Sequence, residues 1–246
     1  MSPLNNSVLG SKLRAHAGPI LCYLTDRRAL QGKPQTSLIE ALLEKIESVA
    51  AAGVDWIQLR EKDLTGKDLA ALTREAVVRI SNQAPHEKAV TRPPARILVN
   101  DRLDVALAEL AAGGVHLGDN SLPPEEAKRL VGSLSAKIPS HDFLIGVSCH
   151  SLKAAQLAAS AGADYIFFGP VFATPSKAAY GAPQGLDRLA EVCGSVAIPV
   201  LAIGGITLAN ASSCFSAGAS GIAAIRLFQD SADPAELVRK LRLLPF

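Results

Sequence analysis

The chain has no long apolar run, no marked excess of one charge and no closely spaced cysteines, and each lack removes a class of function. Although 48% of its 246 residues are hydrophobic, no stretch reaches the roughly 18 consecutive apolar residues of a membrane-spanning helix. Twenty-five Lys and Arg against 23 Asp and Glu leave a formal charge of +2. No global field therefore draws in nucleic acid or an anionic membrane, and any selectivity for anions has to be local. Cys22, Cys149, Cys193 and Cys214 form no CxxC pair, which argues against a zinc site or redox motif and suits reduced thiols in a cytoplasmic protein. Residues 1–18 carry Lys12 and Arg14 but no apolar h-region, so they read as a frayed extension, not a secretory signal. Two small domains would need a linker, and residues 19–246 are expected to form one.

Eight short β-branched or apolar runs recur: Ile20 to Leu24, Val54 to Leu59, Ile97 to Val99, Val115 to Leu117, Leu144 to Val147, Tyr165 to Phe168, Val200 to Ile203 and Ile222 to Ile225. Amphipathic Ala- and Leu-rich segments follow them, at Ser37 to Ala51, Lys67 to Ile80, Leu103 to Ala112, Pro124 to Val131, Leu152 to Ala161 and Leu186 to Val192, with weaker ones near Leu208 to Ser216 and Pro234 to Leu243. Strands alternating with helices imply right-handed βαβ crossovers and a parallel sheet. Ahead of several strands a similar phrase returns, as in Ala52-Gly53-Val54-Asp55, Ala112-Gly113-Gly114-Val115, Ala161-Gly162-Ala163-Asp164 and Ala217-Gly218-Ala219-Ser220. A glycine just past a helix takes the left-handed conformation that turns the chain back into a sheet. An open doubly wound sheet is the rival, but eight units in a chain near the roughly 250 residues typical of a (β/α)8 TIM barrel favour closure. The polar stretches Asn82 to Pro94 and Ser133 to Asp142 precede strands and read as solvated insertions on the stability face.

Polar residues collect after the strands, at the end where such barrels carry their chemistry. Gln58, Arg60 and Lys62 follow the second strand, and alternation points them the same way if the strand continues that far. Asn100 and Asp101 follow the third, and Gly118, Asp119, Asn120 and Ser121 the fourth. Carboxylate and amide oxygens there suit a hard cation such as Mg²⁺. Behind the fifth strand stand Ser148, Cys149 and His150. His150 reads either as a general acid/base or as a residue that hydrogen-bonds locally at a helix start, and Cys149 as a small packed residue. The long loop after the sixth strand, through Thr174, Ser176 and Lys177 to Gly185, has the hydroxyls, cation and glycines to fold over an anion. Gly204-Gly205-Ile206-Thr207 is expected to open a helix whose free N–H groups receive a phosphate.

From about Leu21 to Phe228 the sequence resembles the thiamine-phosphate synthase family, which includes a branch of thiazole tautomerases. The motifs that carry the likeness are Gln58-Leu59-Arg60-Glu61-Lys62, Val99-Asn100-Asp101-Arg102, Val115-His116-Leu117-Gly118, Gly146-Val147-Ser148-Cys149-His150, Gly169 through Lys177 and Ile203-Gly204-Gly205-Ile206. The resemblance implies that Gln58, Arg60, Lys62, Asn100 and Lys177 hold the diphosphate of hydroxymethylpyrimidine diphosphate, with Asp101 on Mg²⁺. It places Thr174, Ser176 and Gly205 against the phosphate of hydroxyethylthiazole phosphate, with Gly204 beside them, and Ser148 among the reacting groups. Ionisation of the C–O bond would give a pyrimidine-methyl cation that the thiazole nitrogen captures, yielding thiamine phosphate and pyrophosphate.

Two positions depart from the family's usual pattern. Gly118-Asp119-Asn120-Ser121 stands where the family reads Gly-Gln-Glu-Asp, leaving Asp119 as the substitute second metal ligand. Arg226 stands where the family has a small serine, and an arginine there can either bind phosphate or fill the pocket. A transferase is the leading expectation. Its rivals are an isomerase of the tautomerase branch, with His150 moving the proton and no metal, and a barrel that binds phosphorylated ligands without turnover. Small phosphorylated molecules, not nucleic acid or membrane, are the expected partners, and homo-oligomer formation is left open.

Overall fold

A computed structural model describes residues 18–30, 37–82, 93–109, 111–118, 120–134, 143–174 and 182–246. Eight parallel strands close in sequence order into one barrel: β1 Ile20–Leu24, β2 Trp56–Leu59, β3 Arg96–Asn100, β4 Gly114–Leu117, β5 Leu144–Cys149, β6 Tyr165–Phe168, β7 Val200–Ile203 and β8 Gly221–Ala224. The helices between and after them are α1 Leu38–Ala51, α2 Gly66–Asn82, α3 Leu103–Ala108, α4 Pro124–Ser133, α5 Leu152–Ser160, α6 Gly185–Ser195, α7 Ala211–Ser216, α8 Arg226–Gln229 and α9 Pro234–Arg242. The expected (β/α)8 TIM barrel is therefore present. Among the described residues no helix is long and apolar enough to cross a membrane. Residues 1–17 and most of the two polar insertions lie outside the described residues.

Strand alternation sorts the apolar residues into two cores. One joins outward strand residues such as Ile57, Val99 and Ile166 to helix residues such as Leu42, Ile46 and Leu69. The other has no helix member and fills the barrel itself, with Cys22, Trp56, Leu98, Tyr165, Phe167 and Leu201. Room for its aromatic rings comes from small neighbours. A Cβ on Gly146 would lie 2.0 Å from the Tyr165 ring.

The repeated phrase before the strands works as the sequence suggests. Gly53, Gly162 and Gly218 adopt φ of +92°, +87° and +90° just past α1, α5 and α7. Gly113 is the exception: α3 stops at Ala108, well before it, and its φ is not positive. Val54 and Asp55 belong to the turn before β2, so that strand starts two residues later than the apolar run suggests. The carboxylate of Asp55 instead accepts from the Leu21 N–H at 2.7 Å, and Asp164 treats Ile145 the same way at 2.8 Å. Asp55 also takes the guanidinium of Arg242, at the end of α9, at 2.7 Å. Arg242 further donates to the carbonyls of Pro19 and Gly53, tying the last helix to the N-terminal rim of β1 and β2.

Candidate active site

Because all eight strands are parallel, every segment after a strand leaves at one rim. That rim gathers Arg60 and Lys62, Asn100 and Asp101, Gly118 and Ser121, Ser148 and His150, Thr174, Gly204 and Gly205, and Arg226. Asp119, Ser176 and Lys177 lie outside the described residues.

Asp101 organises the polar part of the rim. It is a non-glycine residue at φ +60°, a conformation that a short polar side chain tolerates better than most. Its Oδ1 accepts from the Gly118 N–H at 3.0 Å and the Ser121 hydroxyl at 2.5 Å, and its Oδ2 from the Asn100 amide at 2.7 Å. Asn100 Oδ1 in turn accepts from Gln58 Nε2 at 2.7 Å. A carboxylate at working pH only accepts, so it fixes the Asn100 amide with its NH2 toward Asp101. The oxygen of Asn100 then demands the NH2 of Gln58, leaving Gln58 Oε1 pointing onward. That oxygen is buried without a hydrogen-bond partner among the described residues, in a residue only 1% exposed.

The cations sit differently from the sequence expectation. β2 ends at Leu59, so Arg60 and Lys62 are not consecutive members of one strand face. The reason lies in the loop after β1. Thr25 donates its N–H to the Gln58 carbonyl and accepts the Arg60 N–H on Oγ1, both at 3.0 Å. Glu61 turns inward and is 5% exposed. Arg60 is half-buried and Lys62 exposed in the turn that follows, and among the described residues neither has a carboxylate partner. Glu61 pairs with Arg27 instead, at 2.9 Å.

A buried histidine that sequence reasoning passed over supports the floor of the rim. His116 is 2% exposed, stacks on Phe167 with ring centroids 4.1 Å apart, and engages both ring nitrogens, with Tyr165 Oη at 3.1 Å and Ser148 Oγ at 2.9 Å. Burial pushes the Tyr165 phenol well above its usual range, so it stays neutral. Held from both sides, His116 anchors Ser148 below the mouth. Its signal was available: Gly114, His116 and Gly118 alternate onto the inner face. His150, by contrast, donates from Nδ1 to the carbonyl of Gly169, which follows β6.

The Gly204-Gly205 pair does not open a helix, and this corrects the sequence expectation. α7 begins only at Ala211, and the N–H of Thr207 is taken by Asn210 Oδ1 at 2.8 Å. The glycines instead let the loop after β6 pass over the rim. A Cβ on Gly204 would lie 2.5 Å from Pro170 Cβ, and one on Gly205 2.6 Å from the Ala173 carbonyl oxygen. Phe172 N–H bonds the Gly204 carbonyl at 3.0 Å. The returning end of the loop is tied by Gln184 N–H to the Pro170 carbonyl and Gly185 N–H to the Val171 carbonyl. Half-buried Thr174 is carried over the rim on that loop. Arg226 is exposed at the start of α8.

Among the described residues no cluster of three or more His, Cys, Asp or Glu could enclose a metal ion. Asp101 is nonetheless suited to be one ligand, since its exposed carboxylate is oriented by three donors, two on Oδ1 and one on Oδ2, and Oδ2 keeps a further lone pair. Mg²⁺ commonly takes one or two carboxylates and completes its shell with water and substrate phosphate. None of the four cysteines forms a disulfide with another, and three are buried.

The family model described as thiamine monophosphate synthase matches residues 32–228. The chain belongs to this family. Among similar members, a putative thiamine-phosphate synthase of Geobacter sulfurreducens is 43% identical over 226 residues, covering 92% of this chain and 94% of the relative. A thiamine-phosphate synthase of Roseiflexus sp. (strain RS-1) is 39% identical, covering 91% and 84%. The solved structure of thiamine phosphate pyrophosphorylase from Pyrococcus furiosus superposes with a TM-score of 0.71 at 30% identity, covering 91% of this chain and 94% of that one. Family membership thus agrees with the fold.

Proposed function

We propose that this protein is a thiamine-phosphate synthase, a transferase that joins hydroxymethylpyrimidine diphosphate to hydroxyethylthiazole phosphate and releases pyrophosphate. The observation that carries the reading is the acceptor Gln58 Oε1, buried without a partner among the described residues near the end of β2, with two cations that have no carboxylate partner among those residues in the turn that follows. An oxygen acceptor offers a diphosphate nothing to bind, so we assign Gln58 to the amino group of the pyrimidine and the diphosphate to Arg60, Lys62 and Lys177. The carbon–oxygen bond breaks with its electron pair leaving on the diphosphate, and the thiazole nitrogen then supplies the pair for the new carbon–nitrogen bond. Positive charge that develops on the pyrimidine spreads onto its amino group, so a hydrogen bond from that group to Gln58 Oε1 strengthens as the bond breaks. Asn100 and Asp101 hold Gln58 in the accepting orientation. Mg²⁺, which Asp101 would hold, together with Asp119 if that side chain reaches it, would add neutralising charge beside the departing diphosphate when bound. Ser148, fixed by His116, is assigned to the reacting groups, and Thr174, Ser176, Gly204, Gly205 and Arg226 to the thiazole phosphate.

The test uses the substrate's own amine. Gln58→Ala is expected to lower kcat/KM for the pyrimidine diphosphate by about 10- to 100-fold, the range of a hydrogen bond to a charged group. A pyrimidine diphosphate lacking the amino group should suffer with the wild-type protein and lose little more with the variant. Equal additional losses in both proteins would show that Gln58 does not meet the amine.

A further inference from the structure

The loop after β2 poses an electrostatic problem. Glu61 stands between Arg60 and Lys62, the two cations assigned to an anionic substrate, and a carboxylate there is their nearest competitor in sequence. The turn after β1, Arg27–Ala29 with its flanking residues, answers it. Arg27 approaches Glu61 twice, with its backbone N–H at 3.1 and 3.3 Å from the two carboxylate oxygens and with Nη1 at 2.9 Å. The same guanidinium forks onto Asp63, Nη1 to Oδ1 at 2.7 Å and Nη2 to Oδ2 at 2.5 Å, and Arg28 adds a bond to Asp63 at 2.7 Å. Two arginines thus neutralise the two carboxylates of the loop, and nothing in that cluster draws on Arg60 or Lys62. The pairing is strong enough to hold the Asp63 carboxyl down at about 2, chiefly through its bond with Arg27.

The turn is itself braced on its other side. Gln229, at the end of α8 and 6% exposed, donates to the Asp26 carbonyl at 3.0 Å and accepts from the Asp26 N–H at 3.3 Å and from the Tyr23 hydroxyl at 3.1 Å. Arg27 is 11% exposed in its side chain and Glu61 2%, so their pair is shielded from the solvent that would otherwise screen it.

We propose that Arg27 is a positioning residue whose role is to occupy Glu61, so that Arg60 and Lys62 remain available to the anionic end of a substrate. The proposal rests on the reading of Arg60 and Lys62 as diphosphate ligands. It predicts a defect in anion binding that follows the charge of Glu61, not simply the loss of a structural contact.

Inorganic pyrophosphate, titrated calorimetrically into the full-length protein, reads this directly and needs no turnover. Arg27→Ala is expected to weaken pyrophosphate by about 10-fold, on the scale of one unit charge newly competing at close range in a partly screened site. Adding Glu61→Gln to Arg27→Ala removes the competing charge and should bring affinity back to within about 3-fold of wild type, the scatter typical of coupled substitutions. In the coupling assay, the KM for the pyrimidine diphosphate should rise in Arg27→Ala and recover in the double variant, with the KM for the thiazole phosphate little changed in either. Wild-type affinity in Arg27→Ala, or a double variant that binds no better than Arg27→Ala, overturns the proposal. If Arg27→Ala does not fold, the double variant decides alone: near-wild-type affinity supports charge masking and weak binding refutes it. A wild-type protein that binds pyrophosphate but couples nothing would sink the transferase reading while leaving this comparison intact.

Discussion

Arg60→Ala is expected to reduce the rate of coupling by at least about 100-fold, whereas His150→Ala leaves it within a few-fold of wild type. Removing one preorganised group that stabilises developing charge typically costs about 2.7–4 kcal/mol of transition-state stabilisation. Arg60 fits such a role because its backbone N–H is fixed by Thr25 Oγ1 while its side chain has no carboxylate partner among the described residues. Truncating it should therefore leave the loop in place and remove only the charge. Lys62→Ala is expected to act in the same direction. His150 donates to the Gly169 carbonyl, so its loss perturbs the loop after β6 and not the ionising bond. Steady-state kinetics with both substrates measure the contrast. The opposite pattern, with His150 essential and Arg60 dispensable, would favour the isomerase alternative, in which a histidine moves a proton.

The second large effect concerns stability. Arg242→Ala should lower unfolding free energy by about 3–5 kcal/mol, the range for removing one partner of a buried ion pair. Asp55 is 3% and Arg242 16% exposed in their side chains, and the guanidinium also serves two carbonyls at the barrel's lower rim. Alanine would leave the Asp55 charge buried without the guanidinium that faces it. For a chain of this size each kcal/mol shifts the thermal midpoint by about 2–4 °C, so a fall of roughly 6–20 °C is expected. Urea titration checks it, and Asp55→Asn combined with Arg242→Ala should lose less than Arg242→Ala alone. A loss below about 1 kcal/mol would place the pair in the class of exposed ion pairs.

The barrel was legible because its signals are local. Short β-branched runs, amphipathic helices and glycine turns each act over a few residues, and a closed parallel barrel is what eight such units can build. Details that failed depend on partners distant in sequence. Arg60 and Lys62 do not share a strand face because Thr25 and Arg27, more than thirty residues away, capture the loop after β2. Gly204-Gly205 resembles a phosphate-binding helix start, but its glycines are required by the close passage of Pro170 and Phe172. His116 was legible as an inward residue of an apolar strand, but that it supports the site follows only from the facing Tyr165 and Ser148. Likewise, Gln58 was legible as a rim residue, but the direction of its amide follows from a chain of bonds ending at Asp101.

Direct incubation of the purified protein with the phosphorylated pyrimidine and thiazole, with and without Mg²⁺, bears most closely on the whole account. Pyrophosphate should appear in step with thiamine phosphate only when both heterocycles and Mg²⁺ are present. Mg²⁺-independent isomerisation of a thiazole carboxylate phosphate, or ligand binding with no pyrophosphate released under any of these conditions, would contradict it.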